Sequence, residues 1–156
     1  MALIAHRETK LFPYAPAQVF DVVADVQRYP EFLPWCVGAR VTSRDRDVFD
    51  AEVLVGFRFV RERYSSRVKL ARPDAIVVTY TSGPFRHLVN NWRFKAVPEG
   101  CQVDFFIEFE FRSPMLQRLI GALFHEAVRK MVAAFESRAR QLYGAPVAAA
   151  AAAKPA

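Results

Sequence analysis

Along most of the chain, large apolar residues alternate one-for-one with polar ones, and only two stretches switch to a spacing of three and four. Alternation places successive side chains on opposite faces of a strand, whereas the wider spacing lines one face of a helix. Residues 3–12 therefore read as a first strand. Val19, Phe20, Val22, Val23 and Val26 then form one face of a short helix that opens at Pro16, a favoured first-turn position. Ala15 stands where a Ser or Asp would normally cap, a lack worth about 1 kcal/mol. Strand-like runs follow over residues 38–46, 48–57, 58–71, 76–82, 85–97 and 101–112, with turn residues such as Arg72-Pro73-Asp74 and Ser82-Gly83-Pro84 between them. With the first run they make a seven-stranded antiparallel sheet.

Side-chain sorting aligns the last hairpin. If Val97 faces Gln102 across Pro98-Glu99-Gly100-Cys101, Lys95 pairs with Asp104, Phe94 with Phe105 and Trp92 with Ile107. Leu88, Trp92, Phe94, Phe105, Ile107, Phe109 and Phe111 then share one side, and Arg93, Lys95, Asp104, Glu108 and Glu110 the other. A slip of one residue would scramble that division. Phe106 falls on the polar side without explanation. Residues 114–143 form a long helix whose apolar positions, from Met115 through Leu119, Phe124, Val128 and Met131 to Phe135, fill more than a third of its surface. So wide a stripe requires a cover, and the apolar face of the sheet supplies one. The expected fold is α+β, a curved seven-stranded antiparallel sheet wrapped around a long C-terminal helix. Residues 1–144 make one domain, and the alanine-rich segment 145–156, after the helix stop Gly144, reads as a disordered tail.

Between the first helix and the second strand lies Tyr29-Pro30-Glu31-Phe32-Leu33-Pro34-Trp35-Cys36, two prolines bracketing large apolar side chains. Each proline fixes its own φ and pushes the preceding residue toward extended geometry, so Phe32, Leu33 and Trp35 are presented from a rigid elbow. With Asp21-Val22-Val23-Ala24-Asp25-Val26 before it, and Gly83-Pro84-Phe85-Arg86-His87-Leu88 and Trp92-Arg93-Phe94 further on, the segment resembles the coenzyme Q-binding proteins of the START-like superfamily, polyketide cyclase and lipid transport proteins, whose bacterial branch includes ribosome association toxins. The resemblance runs from about residue 5 to 144. It implies a helix-grip fold with a deep cavity whose mouth the elbow helps to close.

The chain has 156 residues, 53% of them hydrophobic and 24% charged, which suits one globular domain with a substantial core. No apolar run is long enough for a membrane span and no signal peptide pattern opens the chain, so a cytoplasmic protein with peripheral association at the inner membrane is expected. Cys36 and Cys101 stand alone, which points to buried or half-buried thiols rather than a disulfide or zinc site. The net charge of +6 is carried mainly by arginine and is concentrated in residues 58–72 and 112–143. Such excess suits an anionic partner, lipid head groups or nucleic acid.

Inward-facing aromatic residues are ordinary core residues in most domains. Here fourteen Phe and two Trp supply many rigid plates, and Tyr64, Ser66 and Asn90 fall on the inward phase of their strands as sparse polar handles. Together with the resemblance they imply an apolar pocket for a long ligand with a small polar head, a polyprenyl quinone such as ubiquinone. The candidate ligand-binding residues are Phe32, Leu33, Trp35, Tyr64, Asn90, Trp92, Phe94, Phe105, Ile107, Phe109, Phe124, Met131 and Phe135. The expected role is binding and delivery of the quinone in respiratory electron transport, with no covalent chemistry, no metal and no catalytic residue. His6, His87 and His125 lack a motif context, and His125-Glu126-Ala127-Val128-Arg129 begins like the HExxH metal motif but ends in Arg. Two alternatives remain. Arg61, Arg63, Arg67 and Lys69 share the outward phase of one strand, a stripe able to track phosphates if the chain binds the large ribosomal subunit and blocks subunit joining. A polyketide cyclase-like enzyme is the minor alternative, on fold analogy.

Overall fold

The computed structural model describes residues 3–57 and 59–144, so the tail expected over 145–156 lies outside the described residues. The elements run β1 (Ile4–Phe12), α1 (Pro16–Ala24), a 3-10 helix (Val26–Glu31), β2 (Cys36–Asp45), β3 (Val48–Phe57), β4 (Val60–Ala71), β5 (Ala75–Ser82), β6 (Phe85–Val97), β7 (Gly100–Phe111) and α2 (Pro114–Tyr143). The seven strands form one antiparallel sheet in the order β1-β7-β6-β5-β4-β3-β2. Register shifts between Cys36 and Gly38 and between Val41 and Ser43 bend β2, as bulges do, and help the sheet curl around α2.

The β6–β7 register differs from the expected one by two residues. Val97 pairs with Gly100, Lys95 with Gln102, Phe94 with Val103 and Trp92 with Phe105, so the turn is the two-residue Pro98-Glu99. A two-residue shift preserves which side each residue faces, and the sorting of apolar and charged positions survives intact. Gly100 permits the tighter turn. Its φ of 139° suits glycine, and a Cβ there would lie 2.8 Å from the backbone nitrogen of Tyr14, so a side chain would push β1 away. Phe106, unexplained from sequence, lies under the guanidinium of Arg7 at 4.8 Å from its ring centroid.

The helix starts are held by different means. Ser113 accepts a hydrogen bond from the Leu116 backbone N–H at 3.3 Å, with Pro114 in the first turn of α2. At α1, Ala15 has no side-chain acceptor, but Gln18 Oε1 accepts the Ala15 backbone N–H at 3.0 Å, half of a capping box. The buried Gln117 accepts the Phe111 backbone N–H at 2.7 Å and fastens the start of α2 to the end of β7. At its far end, α2 is tied to the β1–α1 connection and to α1. Tyr14 donates its hydroxyl to the Gly144 carbonyl at 2.9 Å, and Tyr143 donates to the Gln18 carbonyl at 3.2 Å.

Two apolar clusters sit beneath α2. The larger joins α1, the elbow and the C-terminal half of α2 to the sheet through fully buried Phe12, Phe20, Phe105, Val132 and Phe135. Each such side chain contributes about 1.5–3 kcal/mol of transfer free energy. The smaller holds Leu88, Phe109, Phe111 and Leu116 at the start of the helix, with Phe85 stacked on Phe111 at 4.5 Å. Ile107, Phe124 and Tyr64 touch both clusters, and the space between them is incompletely filled.

Candidate functional site

A cavity of about 460 Å³ lies between the inner face of the sheet and α2. Its walls are the inward-phase residues of four strands, Val53, Val55 and Phe57 on β3, Tyr64 on β4, Phe85, Leu88, Asn90 and Trp92 on β6, and Phe105 through Phe111 in steps of two on β7. The roof is Ile120, Phe124, Ala127, Val128, Met131 and Phe135, spaced by threes and fours along α2. Trp92 forms the floor at one end, with Phe105 at 4.7 Å and Phe135 at 5.1 Å between ring centroids. Rigid rings braced edge to face cannot fold inward to fill a void as a flexible aliphatic chain can. The exposed side chains of Leu123, Glu126 and Lys130 and the partly exposed Trp35 mark the mouth.

Two polar groups stand inside an otherwise apolar wall. Asn90 donates one amide N–H to the Phe106 carbonyl at 3.1 Å, which orients the side chain and leaves its carbonyl oxygen and second N–H for a guest. Tyr64 packs edge-on against Phe85 at 5.7 Å, and no hydrogen bond within the described residues ties its hydroxyl. Burial, with a smaller contribution from nearby Cys36, pushes its phenol up to about 12, so it is a neutral hydroxyl donor at physiological pH. The Gly83-Pro84 turn seats Tyr64. Gly83 has φ 143°, and a Cβ there would stand 2.7 Å from the Tyr64 Cβ. Tyr29, also on the wall, spends its hydroxyl on the Val23 carbonyl, and burial raises its pKa.

The elbow is held from both sides. The Trp35 carbonyl accepts the Gly56 N–H at 2.8 Å, and the Trp35 ring meets Phe57 at 5.8 Å. Its φ of 64° is a conformation that a bulky residue rarely adopts, imposed here between Pro34 and the bulged start of β2. On the other side Arg138 of α2 reaches Glu31 at 2.7 Å and lies 5.2 Å above the Phe32 ring.

Of the thirteen residues expected to contact ligand, all but Phe32 and Phe94 line the cavity. Phe32 is turned against Tyr29 and Phe135, at 6.0 and 5.4 Å, and braces the elbow from behind. Phe94 lies past the cavity floor between Trp92 and Phe20, because α1 covers that end of the sheet. Ser66 points inward and is buried, but does not reach the cavity. The sequence reading passed over Val53, Val55 and Phe57, although their alternation carried the same inward phase, and Phe85, which alternation alone places outward and which the register shift between Phe85 and His87 turns into the cavity. It also passed over Glu126 and Lys130, whose place at the mouth depends on how α2 is rotated.

The histidines lie outside the cavity wall. His6 Nδ1 is 2.7 Å from His125 Nδ1 and its Nε2 is 3.0 Å from Glu8, while His87 meets Glu108 at 2.9 Å. His125, placed on sequence grounds on the helix surface, is exposed there and bonds across to β1. Among the described residues no group of three or more His, Cys, Asp or Glu is arranged to hold a metal ion. Both cysteines are free thiols with pKa values raised by burial, that of Cys101 to about 11.

On the outer face, Arg61, Arg63, Arg67 and Lys69 are all exposed in one row along β4. Arg67 is engaged by Asp50 at 3.0 Å, which holds that carboxyl below its usual range together with Ser43, and Arg63 lies 4.0 Å from Glu52. Arg61 and Lys69 meet no carboxylate within ion-pair distance among the described residues. A shallow groove of about 270 Å³ beside this row is rimmed by Arg40, Glu52 and Arg63.

A curved antiparallel sheet gripping one long helix over an apolar cavity defines a START-like, helix-grip fold. The chain belongs to the polyketide cyclase / dehydrase and lipid transport family, whose model matches residues 12–136. It is 37% identical over 144 residues to the ribosome association toxin RatA of Rickettsia prowazekii, covering 90% of this chain and 99% of that protein. It is 38% identical over 156 residues to the mitochondrial coenzyme Q-binding protein COQ10 homolog B of Xenopus laevis, covering 95% of this chain and 64% of that one. The solution structure of the 18 kDa protein CC1736 from Caulobacter crescentus superposes with TM-score 0.76 at 41% identity, covering 91% of this chain and 99% of that chain. Among the described residues no helix is long and apolar enough to cross a membrane.

Proposed function

We propose that this chain binds a polyprenyl quinone, ubiquinone, in the cavity under α2 and delivers it without covalent chemistry in support of respiratory electron transport. The carrying observation is the cavity itself, about 460 Å³ of apolar space with Tyr64 and Asn90 as its sparse donors. Ligand sites commonly span about 300–1,000 Å³ and fix orientation with few polar groups. A quinone head with its two carbonyl oxygens matches two donors on an apolar wall, and the isoprenoid tail gains about 25 cal/mol per Å² of surface removed from water. Transient contact with an anionic membrane gives access to the ligand, and the protein is cytoplasmic between such visits. The coenzyme Q-binding relative supports the reading by name. The test is native mass spectrometry with organic extraction of protein purified from a quinone-producing bacterium. A stoichiometric polyprenyl quinone is expected; an empty pocket that also fails to take up added quinone would refute the proposal.

A second reading rests on the outer face of β4, where Arg61 and Lys69 remain available to phosphates. In that role the chain binds the large ribosomal subunit and opposes subunit joining; the relatives named ribosome association toxins support association with the ribosome. Co-sedimentation with purified large subunits at physiological salt tests it, and binding that vanishes at that salt would count against it.

A further inference from the structure

We propose that the β3–β4 hairpin tip is the element that docks the chain on an anionic bilayer, with Phe59 entering the lipid beside the cavity mouth. The inference rests on the quinone-binding reading and adds the surface through which the ligand's membrane is met. Phe59 is 80% exposed, the most exposed large apolar side chain among the described residues. A phenyl ring held in water at the end of a hairpin has no folding role to explain it. It is also not isolated. Phe57, two residues earlier, packs edge-on against Trp35, whose carbonyl accepts the Gly56 N–H, so the hairpin end and the elbow are in direct contact. Val37, 48% exposed, lies beside the same hairpin, and Leu123, 37% exposed, stands at the mouth on α2. Thus the apolar surface continues from outside the molecule into the cavity.

Charge selects the kind of bilayer. The guanidinium carbon of Arg61 and the Cγ1 of Val37 would lie 3.1 and 3.2 Å from a Cβ on Gly56, which sets a cation without a carboxylate partner among the described residues directly beside the apolar tip. Exposed Arg129 and Lys130 lie on α2 at and next to the mouth. Aromatic residues at the head-group level flanked by Arg and Lys are the arrangement that favours an anionic interface. Cavity size points the same way. At about 460 Å³ the space holds a quinone head and the first part of a tail, so the remainder of a long tail leaves through the mouth and needs apolar surroundings there.

The test uses flotation of the full chain with vesicles of phosphatidylglycerol and phosphatidylethanolamine, and with neutral phosphatidylcholine as control. Phe59→Ser is expected to lower partition to the anionic vesicles about tenfold while leaving the extracted quinone unchanged. In Phe59→Trp, the fluorescence added over the wild type should shift to the blue on adding anionic vesicles. The proposal is overturned if the wild type binds the vesicles and Phe59→Ser binds them equally well. It is likewise overturned if the variant keeps vesicle binding but loses co-sedimentation with large ribosomal subunits, which would make the tip a ribosome contact. Vesicle binding that depends on Phe59, in a protein that carries no quinone and takes up none when it is added, would uphold the docking surface and reject the quinone reading alone.

Discussion

Adding volume to a packed core and adding it to a cavity have opposite consequences, and Ala127 is the position where the two can be told apart. Its side chain lines the cavity from α2 between Phe124 and Met131. In Ala127→Phe the new ring enters a space of about 460 Å³. The helix-propensity loss of Ala to Phe is about 0.5 kcal/mol, or roughly 2 °C in midpoint for a domain of this size. Overpacking a filled core would add about 1–3 kcal/mol, a further drop of roughly 3–10 °C. Ala122→Phe, on the exposed side of the same helix, supplies the propensity term by itself. The two variants should therefore melt within about 2 °C of each other. In the ligand assay they should part. A phenyl ring displaces about one isoprenoid unit, five carbons at ~0.8 kcal/mol each, an upper bound of about 4 kcal/mol or roughly a thousandfold, so quinone affinity should fall by about tenfold to a thousandfold in Ala127→Phe and stay unchanged in Ala122→Phe. Thermal melts with quinone titration by tryptophan quenching measure both. A melting point for Ala127→Phe more than about 5 °C below that of Ala122→Phe would refute the idea of an open cavity.

Tyr64→Phe removes a hydroxyl that no partner within the described residues holds, so quinone affinity should fall about three- to tenfold with stability unchanged, as titration and melting would report. Gly83→Ala forces a side chain at φ 143° against Tyr64 and should destabilise the fold by at least about 1 kcal/mol in urea unfolding, with a parallel loss of quinone binding. Arg138 and Arg28 hold the Glu31 carboxyl below its ordinary value; its contribution is therefore present above the ordinary glutamate pKa and is lost as pH falls through the lowered one. Glu31→Gln should loosen the elbow and speed quinone release at neutral pH, and should flatten the acid-side change in release rate seen by stopped-flow in the wild type. If the second reading holds, reversing Arg61 and Lys69 to Glu should abolish co-sedimentation with large ribosomal subunits and leave quinone extraction as it was.

Much of this was legible in the chain because strands and helices write their exposure into residue spacing. The period of two fixed which face of β6 and β7 turns inward, so Trp92, Phe105, Ile107 and Phe109 could be assigned to one surface before any register was known. Register itself stayed open by two residues, since a shift of two returns every side chain to the same face and only the turn at Gly100 discriminates. Phe32 and Phe94 were misplaced for a related reason. Their apolar character and phase say inward, but inward toward α1 and Phe135 rather than toward the cavity is a matter of where the helices rest. Glu126, Lys130 and Phe59 acquire meaning only once α2 and the β3–β4 hairpin frame a mouth.

The sequence by itself thus determined the element order, the antiparallel sheet, the buried faces and the basic outer row on β4, because each follows from local periodicity and charge. Only the tertiary structure decided that the enclosed space is hollow. Emptiness is a small difference between the volume a curved sheet and a bridging helix enclose and the volume the inward side chains occupy, and no single residue records that difference.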